Sequence, residues 1–138
     1  AARPVRPAPG GTRRVSGVNW RWPTAGEVAR RFDPGDTRKG ILIAGSAGQP
    51  VVAAADGSVV YSGNGLIGYG ALIILKHSDS MLSAYAHNRE RLVREGETVR
   101  AGETIARMGR DERGSEVLHF EIRGNGKPVD PLDYLPGR

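Results

Sequence analysis

The 138-residue chain has no cysteine, and only two Phe, two Trp, two Met and three His. Without cysteine there is no disulfide and no thiolate metal site. The compartment stays open, because a cysteine-free chain suits the periplasm as well as the cytosol. No run of 18 apolar residues occurs, so nothing reads as a membrane-spanning helix. No signal peptide is legible either: Ala1 opens directly into a Pro/Arg-rich stretch, and the chain reads as a processed or trimmed piece of something longer. Basic charge is scarce where a nucleic-acid reader would need it. The net charge is +5, yet residues 1–19 carry Arg3, Arg6, Arg13 and Arg14 and no acid, while the remainder holds 16 basic and 15 acidic residues. The excess belongs to the leading segment, which gives nucleic acid little support as a partner.

What is present is enough apolar residue, 38% of the chain, for one modest core. Residues 1–19 are rich in Pro, Gly and Arg and read as a linker; the domain is expected over 20–138, from Trp20-Arg21-Trp22-Pro23 onward. Short β-branched or aromatic runs then recur: Ile41 to Ile43, Val51 to Ala53, Ser58 to Tyr61, Ala71 to Leu75, Met81 to His87 and Val117 to Arg123. Gly, Asn, Asp and Ser punctuate them, which predicts a mainly β fold of antiparallel sheets. The segment from Gly26 to Phe32 alone reads as helical, about two turns long. Gly-Glu-Thr-Val at 96–99 is echoed by Gly-Glu-Thr-Ile at 102–105. Two copies are too few for a solenoid and predict a turn with Val93, Val99 and Ile105 pointing inward.

Chemistry could reside at the three histidines. His77 opens the turn His77-Ser78-Asp79-Ser80 and reads as a turn residue bonded to backbone, with metal ligation as the alternative. In the strand ending at His87, period-two alternation groups Leu82, Ala84 and Ala86 on a core face. It groups Ser83, Tyr85 and His87 on a wet face, where a histidine could move a proton. In the strand around His119, Leu118, Phe120 and Ile122 form the core face. Val117, His119, Glu121 and Arg123 form the other, as a half-solvated sheet also would. Tyr69, in Gly68-Tyr69-Gly70, is either a loop-tip interface residue or a core tyrosine.

These residues stand in a longer pattern. Its landmarks are Lys39-Gly40-Ile41, Ala55-Asp56-Gly57-Ser58-Val59-Val60-Tyr61, Gly68-Tyr69-Gly70 and Leu82-Ser83-Ala84-Tyr85-Ala86-His87-Asn88. It continues through Leu118-His119-Phe120-Glu121-Ile122-Arg123 to Pro131-Leu132-Asp133-Tyr134-Leu135-Pro136. From Trp20 on, the chain resembles the LytM or lysostaphin-type zinc endopeptidase domain, and within it the NlpD-type amidase activators. The resemblance implies antiparallel sheets forming a groove. Active members carry His-x-x-x-Asp for two zinc ligands, Tyr-x-His for a catalytic histidine, and His-x-His for a second catalytic histidine and the third ligand. Here Arg38 and Leu42 stand at the first two ligand positions, His87 keeps its place, Val117 replaces the first histidine of the last motif, and His119 remains. Leucine has no donor atom, and arginine stays protonated with no lone pair to give. One ligand of three cannot hold catalytic zinc, so no cofactor and no peptidase activity are expected.

The resemblance implies instead a groove lined by Arg38, Leu42, Tyr69, Tyr85, His87, Val117 and His119 that binds a zinc-dependent N-acetylmuramoyl-L-alanine amidase and relieves its autoinhibition. It further implies a place on the periplasmic side of a Gram-negative envelope, with the full-length protein an outer-membrane lipoprotein held by an upstream lipid anchor. Peptidoglycan is a second expected partner. An active zinc endopeptidase and a passive wall-binding module are the alternatives.

Overall fold

The computed structural model describes residues 10–35 and 39–137. The expectations for Arg38 and for residues 1–9 therefore lie outside the described residues. Among the described residues twelve strands carry the fold. They are β1 (Arg13–Val15), β2 (Val18–Trp20), β3 (Glu27–Arg30), β4 (Ile41–Ala44), β5 (Pro50–Val52) and β6 (Gly57–Gly63). The second half supplies β7 (Ala71–Lys76), β8 (Met81–Arg91), β9 (Thr98–Val99), β10 (Thr104–Arg110), β11 (Glu116–Gly124) and β12 (Lys127–Val129). A single 3-10 turn follows at Pro131–Asp133.

Strands β1 and β2 make a separate hairpin; the other ten form one sheet. Its path runs β3-β4-β11-β10-β8-β7-β6-β9, with β12 on β11, β5 on β10, and β11 also paired directly with β8. Every described pairing is antiparallel. The predicted mainly β antiparallel class is observed.

Two sequence expectations change. Gly26 to Phe32 is not helical: Glu27–Arg30 is a strand at the end of the sheet, with Val28 opposite Ile43. Gly26 explains the choice. Its φ is 127°, and a Cβ there would lie 1.8 Å from the Ala44 carbonyl oxygen. Glycine lets the chain run against β4 there, and pairing overrides a weak helix preference. The linker reading of 1–19 also fails at its end, because β1 and β2 carry regular structure back to Arg13. Ser16 and Gly17 both have positive φ, 54° and 75°, the geometry of a tight two-residue hairpin turn. Trp20 closes the hairpin by donating its indole N–H to the Val15 carbonyl at 3.1 Å.

Alternation divides each central strand between two faces. Ile41, Ile43, Ile73, Leu75, Leu118, Phe120 and Ile122 enter the main core with Trp20 and Ile105. Val93, Val99 and Ile105 all point inward as the repeated turn predicts. The opposite face carries a smaller cluster, Leu72, Ala84 and Ala86, under Tyr61, Tyr69 and Ile74.

This corrects the reading of β8. Tyr85 and Ser83 belong to the main core, not to a wet face with His87. Tyr85 is fully buried, packs on Phe120 at 5.3 Å between ring centroids, and accepts the Ala54 N–H at 2.9 Å. Its hydroxyl lies 2.8 Å from Ser83 Oγ, which lies 2.7 Å from His77 Nε2. The interior supplies these hydroxyls with partners, so polarity does not force them outward. His77 completes the chain by donating from Nδ1 to the Asp56 carbonyl at 2.8 Å, as its turn reading predicts. Trp20 stands edge-on to it at 5.0 Å.

Burial of His77 lowers its pKa from the ordinary 6.5, only partly offset by the Asp56 carbonyl bond and the Asp56 charge. The unfolded chain therefore takes up a proton at a pH where the fold refuses one. Stability should be level with respect to this residue above pH 6.5 and fall as pH drops through the depressed folded value. Urea denaturation at stepped pH measures this, and His77→Gln should flatten the slope in that window.

Candidate functional site

The groove is built on the face opposite the main core. His119 lies at its centre, with Leu42 of β4 directly across one edge of β11 and Ala86 of β8 across the other. Alternation from His119 puts Val117, Glu121 and Arg123 on the same side, as the sequence predicts. His87 reaches this face by a different device. Between Ala71↔Asn88 and Ile73↔Tyr85 the β8 strand has one residue more than β7. The surplus is a bulge at His87, whose φ is 66°, and a bulge re-aims a side chain that simple alternation would send elsewhere. Backbone bonding fixes it, with the His87 N–H donating to the Tyr69 carbonyl at 2.8 Å. The backbone of β10 presses against the same spot, since a Cβ on Gly109 would lie 2.5 Å from the His87 carbonyl oxygen.

Rings gather around His119. His87 lies 6.0 Å away and Tyr69 5.9 Å away, both edge-on. Below them His119 Nε2 donates to Glu121 Oε2 at 2.9 Å. Glu121 is 1% exposed, and its Oε1 accepts from Arg123 Nε at 3.0 Å and Nη2 at 2.9 Å. Burial acts to raise this carboxyl, but the His119 hydrogen bond, the His119 charge and the Arg123 contacts outweigh it and hold the pKa below 4.5. Burial raises the Tyr69 hydroxyl, helped by the Glu121 charge and opposed by Arg123.

Among the described residues three cavities open along this face. The central one, about 360 Å³, is lined by Lys39, Leu42, Tyr69, His87, Glu112 and His119 among others. A flanking one of about 520 Å³ lies over Ala29, Leu42, Ala44 and Val117, with Arg30 and Arg113 at its rim. The third, about 250 Å³, lies past Tyr69 over Leu72, Ile74, Leu82 and Ala84. Leu42, Asp111 and Arg113 line both of the first two, and Tyr69 lines the first and third.

Of the expected groove residues, Leu42, Tyr69, His87 and His119 meet in the central cavity, and Val117 lines its neighbour. Tyr85 does not join them: it is sealed in the core, for the reason given above. Arg38 lies outside the described residues. The sequence reading missed the wall made by Lys39 and the turn from Asp111 to Ser115. Asp111 Oδ1 accepts the N–H groups of Arg113 and Ser115, each at 2.9 Å. The signal was present as Asp-Glu-Arg-Gly-Ser between two strands, a turn signature directly before β11.

The chain belongs to peptidase family M23, whose match covers residues 36–131. Among its relatives is the lipoprotein NlpD/LppB homolog of Pseudomonas aeruginosa, 53% identical over 136 residues, covering 96% of this chain and 46% of that one. The murein hydrolase activator NlpD of Escherichia coli is 58% identical over 120 residues, covering 86% of this chain and 32% of that one. The chain thus spans less than half the length of either. A zinc-containing peptidase from Vibrio cholerae has the same fold, with a TM-score of 0.77 at 26% identity over 85% of this chain and 40% of that one.

A zinc site of the family type does not fit these residues. Leu42 and Val117 are hydrocarbon, and His119 has one ring nitrogen committed to Glu121. Among the described residues no three of His, Cys, Asp and Glu group to hold a metal. A catalytic zinc needs three protein ligands and one open position.

Two outcomes follow. Glu121→Gln should lower stability at pH 7 by about 1–3 kcal/mol in urea denaturation, because it removes the charge that His119 and Arg123 share. The depressed carboxyl contributes above its ordinary value of 4.5 and loses that contribution as pH falls through the folded value, so wild type and variant should converge in acid. Separately, excess zinc or a chelator should leave the melting temperature unchanged by calorimetry. A rise with zinc would reveal a metal site.

Proposed function

We propose that this chain is a non-catalytic activator of periplasmic zinc N-acetylmuramoyl-L-alanine amidases, promoting septal peptidoglycan hydrolysis and daughter-cell separation. The observation that carries this reading is Leu42 opposite His119 on the groove floor: a hydrocarbon side chain stands where an M23 enzyme would hold metal. The floor continues through Ala44 and Val117. Such a floor suits docking of an amphipathic segment better than it suits polarising a peptide bond. The name of the Escherichia coli relative, a murein hydrolase activator, supports the same reading. The lipoprotein in the Pseudomonas relative's name supports a full-length protein anchored by lipid on the periplasmic side of the outer membrane. Among the described residues no helix is long and apolar enough to cross a membrane.

The mechanism is a population shift. An amidase that blocks its own zinc site opens rarely, and an activator that binds the open form alone pulls the equilibrium toward it. About 2.7 kcal/mol of preference gives roughly a hundredfold shift. A few desolvated aliphatic contacts and one charge-assisted bond suffice.

The test is dye release from labelled peptidoglycan with the chain alone, a zinc amidase alone, and both together. Release well above the amidase alone is expected only from the pair, and Leu42→Asp should remove most of that gain while the chain stays folded by circular dichroism. Full activation by Leu42→Asp would defeat the groove reading. Chelator-sensitive release by the chain alone would make it an endopeptidase. No effect, with retention on cell-wall sacculi, would make it a wall-binding module.

A further inference from the structure

The chain holds four asparagines, Asn19, Asn64, Asn88 and Asn125, and two of them sit in the same tripeptide. Gly63-Asn64-Gly65 and Gly124-Asn125-Gly126 are identical in sequence. An asparagine followed by glycine is open to a reaction of its own. The glycine backbone nitrogen gives up its proton to base and attacks the asparagine Cγ, and no Cβ on the glycine hinders the approach. A C–N bond forms, the bond from Cγ to the amide nitrogen breaks, and ammonia leaves. The product is a five-membered succinimide. Water then opens either of its carbonyls, giving aspartate or isoaspartate.

The two copies differ in backbone geometry. Ring closure requires the glycine nitrogen to eclipse Cβ about the asparagine Cα–C bond. Asn125 and Gly126 make the turn between β11 and β12, closed by the pairing of Gly124 with Lys127. Both have positive φ, 54° and 79°. That left-handed region goes with a ψ of about +47°, which turns the Gly126 nitrogen nearly opposite to Cβ. The Asn125 N–H is also tied to the Ser80 carbonyl at 2.8 Å. Closing the ring there first requires the hairpin turn to open.

Asn64 has no such lock. It follows the last residue of β6, is exposed, and lies outside the left-handed region. Its carboxamide enters no hydrogen bond among the described residues. Gly65 belongs to no strand, and its N–H donates to the Tyr61 hydroxyl at 3.2 Å, the long end of the usual range.

We propose that Asn64 is a site of spontaneous deamidation, where an exposed carboxamide becomes a carboxylate in the loop that leads to the groove, and that the hairpin turn withholds the same chemistry from Asn125. The position gives the modification its consequence. Farther along the same loop, Leu66 lines the apolar cavity, Gly68 the central one, and Tyr69 both. Conversion places a negative charge just ahead of these residues, and the isoaspartate form inserts Cβ into the main chain that carries them. This chemistry does not depend on the activator reading.

The experiment incubates the whole chain in warm, mildly alkaline buffer and follows the amide-to-acid mass gain by peptide mapping. Trypsin separates the two sites, because Lys76 and Arg123 lie between them. In the folded chain Asn64 should convert at least about tenfold faster than Asn125, since opening the turn adds to the barrier there. In urea the two rates should converge to within about twofold, because the tripeptide is the same. Gly65→Ala is sterically mild, as its Cβ would meet only the Tyr61 hydroxyl at 3.4 Å. It should keep the melting temperature and slow conversion at Asn64 about tenfold. Equal rates in the folded chain, or a faster Asn125, overturn the proposal. So does a folded chain that keeps Asn64 intact while the urea-unfolded chain converts. A gap that persists in urea assigns the difference to neighbouring residues and overturns the part given to the turn.

Discussion

The groove depends on strand β11 being paired along both edges. Hydrogen bonding to β4 on one side and β8 on the other fixes its register, and with the register the face each side chain must take. A slip of one residue would carry Leu118, Phe120 and Ile122 onto the groove face and His119 and Glu121 into the main core. Packing these three large apolar residues into the main core and keeping the Glu121 charge out of it both favour the observed register, and the groove's chemistry follows as the reverse side of that choice. Leu42 and Ala86 become neighbours of His119 for the same reason.

That placement leaves a carboxylate deep in the sheet, with Glu121 1% exposed. Glu121 is held by an internal arrangement, one oxygen for His119 and the other for Arg123. Removing a buried charge's partner is costly, whereas a fully bonded one is tolerated. The pair of contacts orients the His119 ring and keeps one of its nitrogens occupied. The groove floor thus has its buried charge bonded on both carboxylate oxygens.

Much of this was legible in the residues. The alternation in Val117 to Arg123 gives the two faces of β11 correctly, because both of its neighbours are regular there. The same rule fails at Met81 to His87. It cannot see an extra residue at His87, and it takes polar Ser83 and Tyr85 for the wet face. Tyr85 illustrates the difference: a phenol reads as a surface group until Ala54 and Ser83 supply partners inside. Gly26 to Phe32 misled for a related reason, since a helix preference of a few tenths of a kcal/mol per residue is small beside strand pairing. The wall from Asp111 to Ser115 escaped notice because a turn declares its shape locally but not the cavity it overlooks. The low-polarity floor, by contrast, was visible in the identities of Leu42 and Val117 alone.

Tyr69 stands between the central cavity and the apolar one beyond it, with its backbone carbonyl tied to His87. The tie holds the backbone, not the ring. Tyr69 lines both a void of about 360 Å³ and one of about 250 Å³. One residue is thus a shared wall, and any change of its size alters two neighbouring spaces at once.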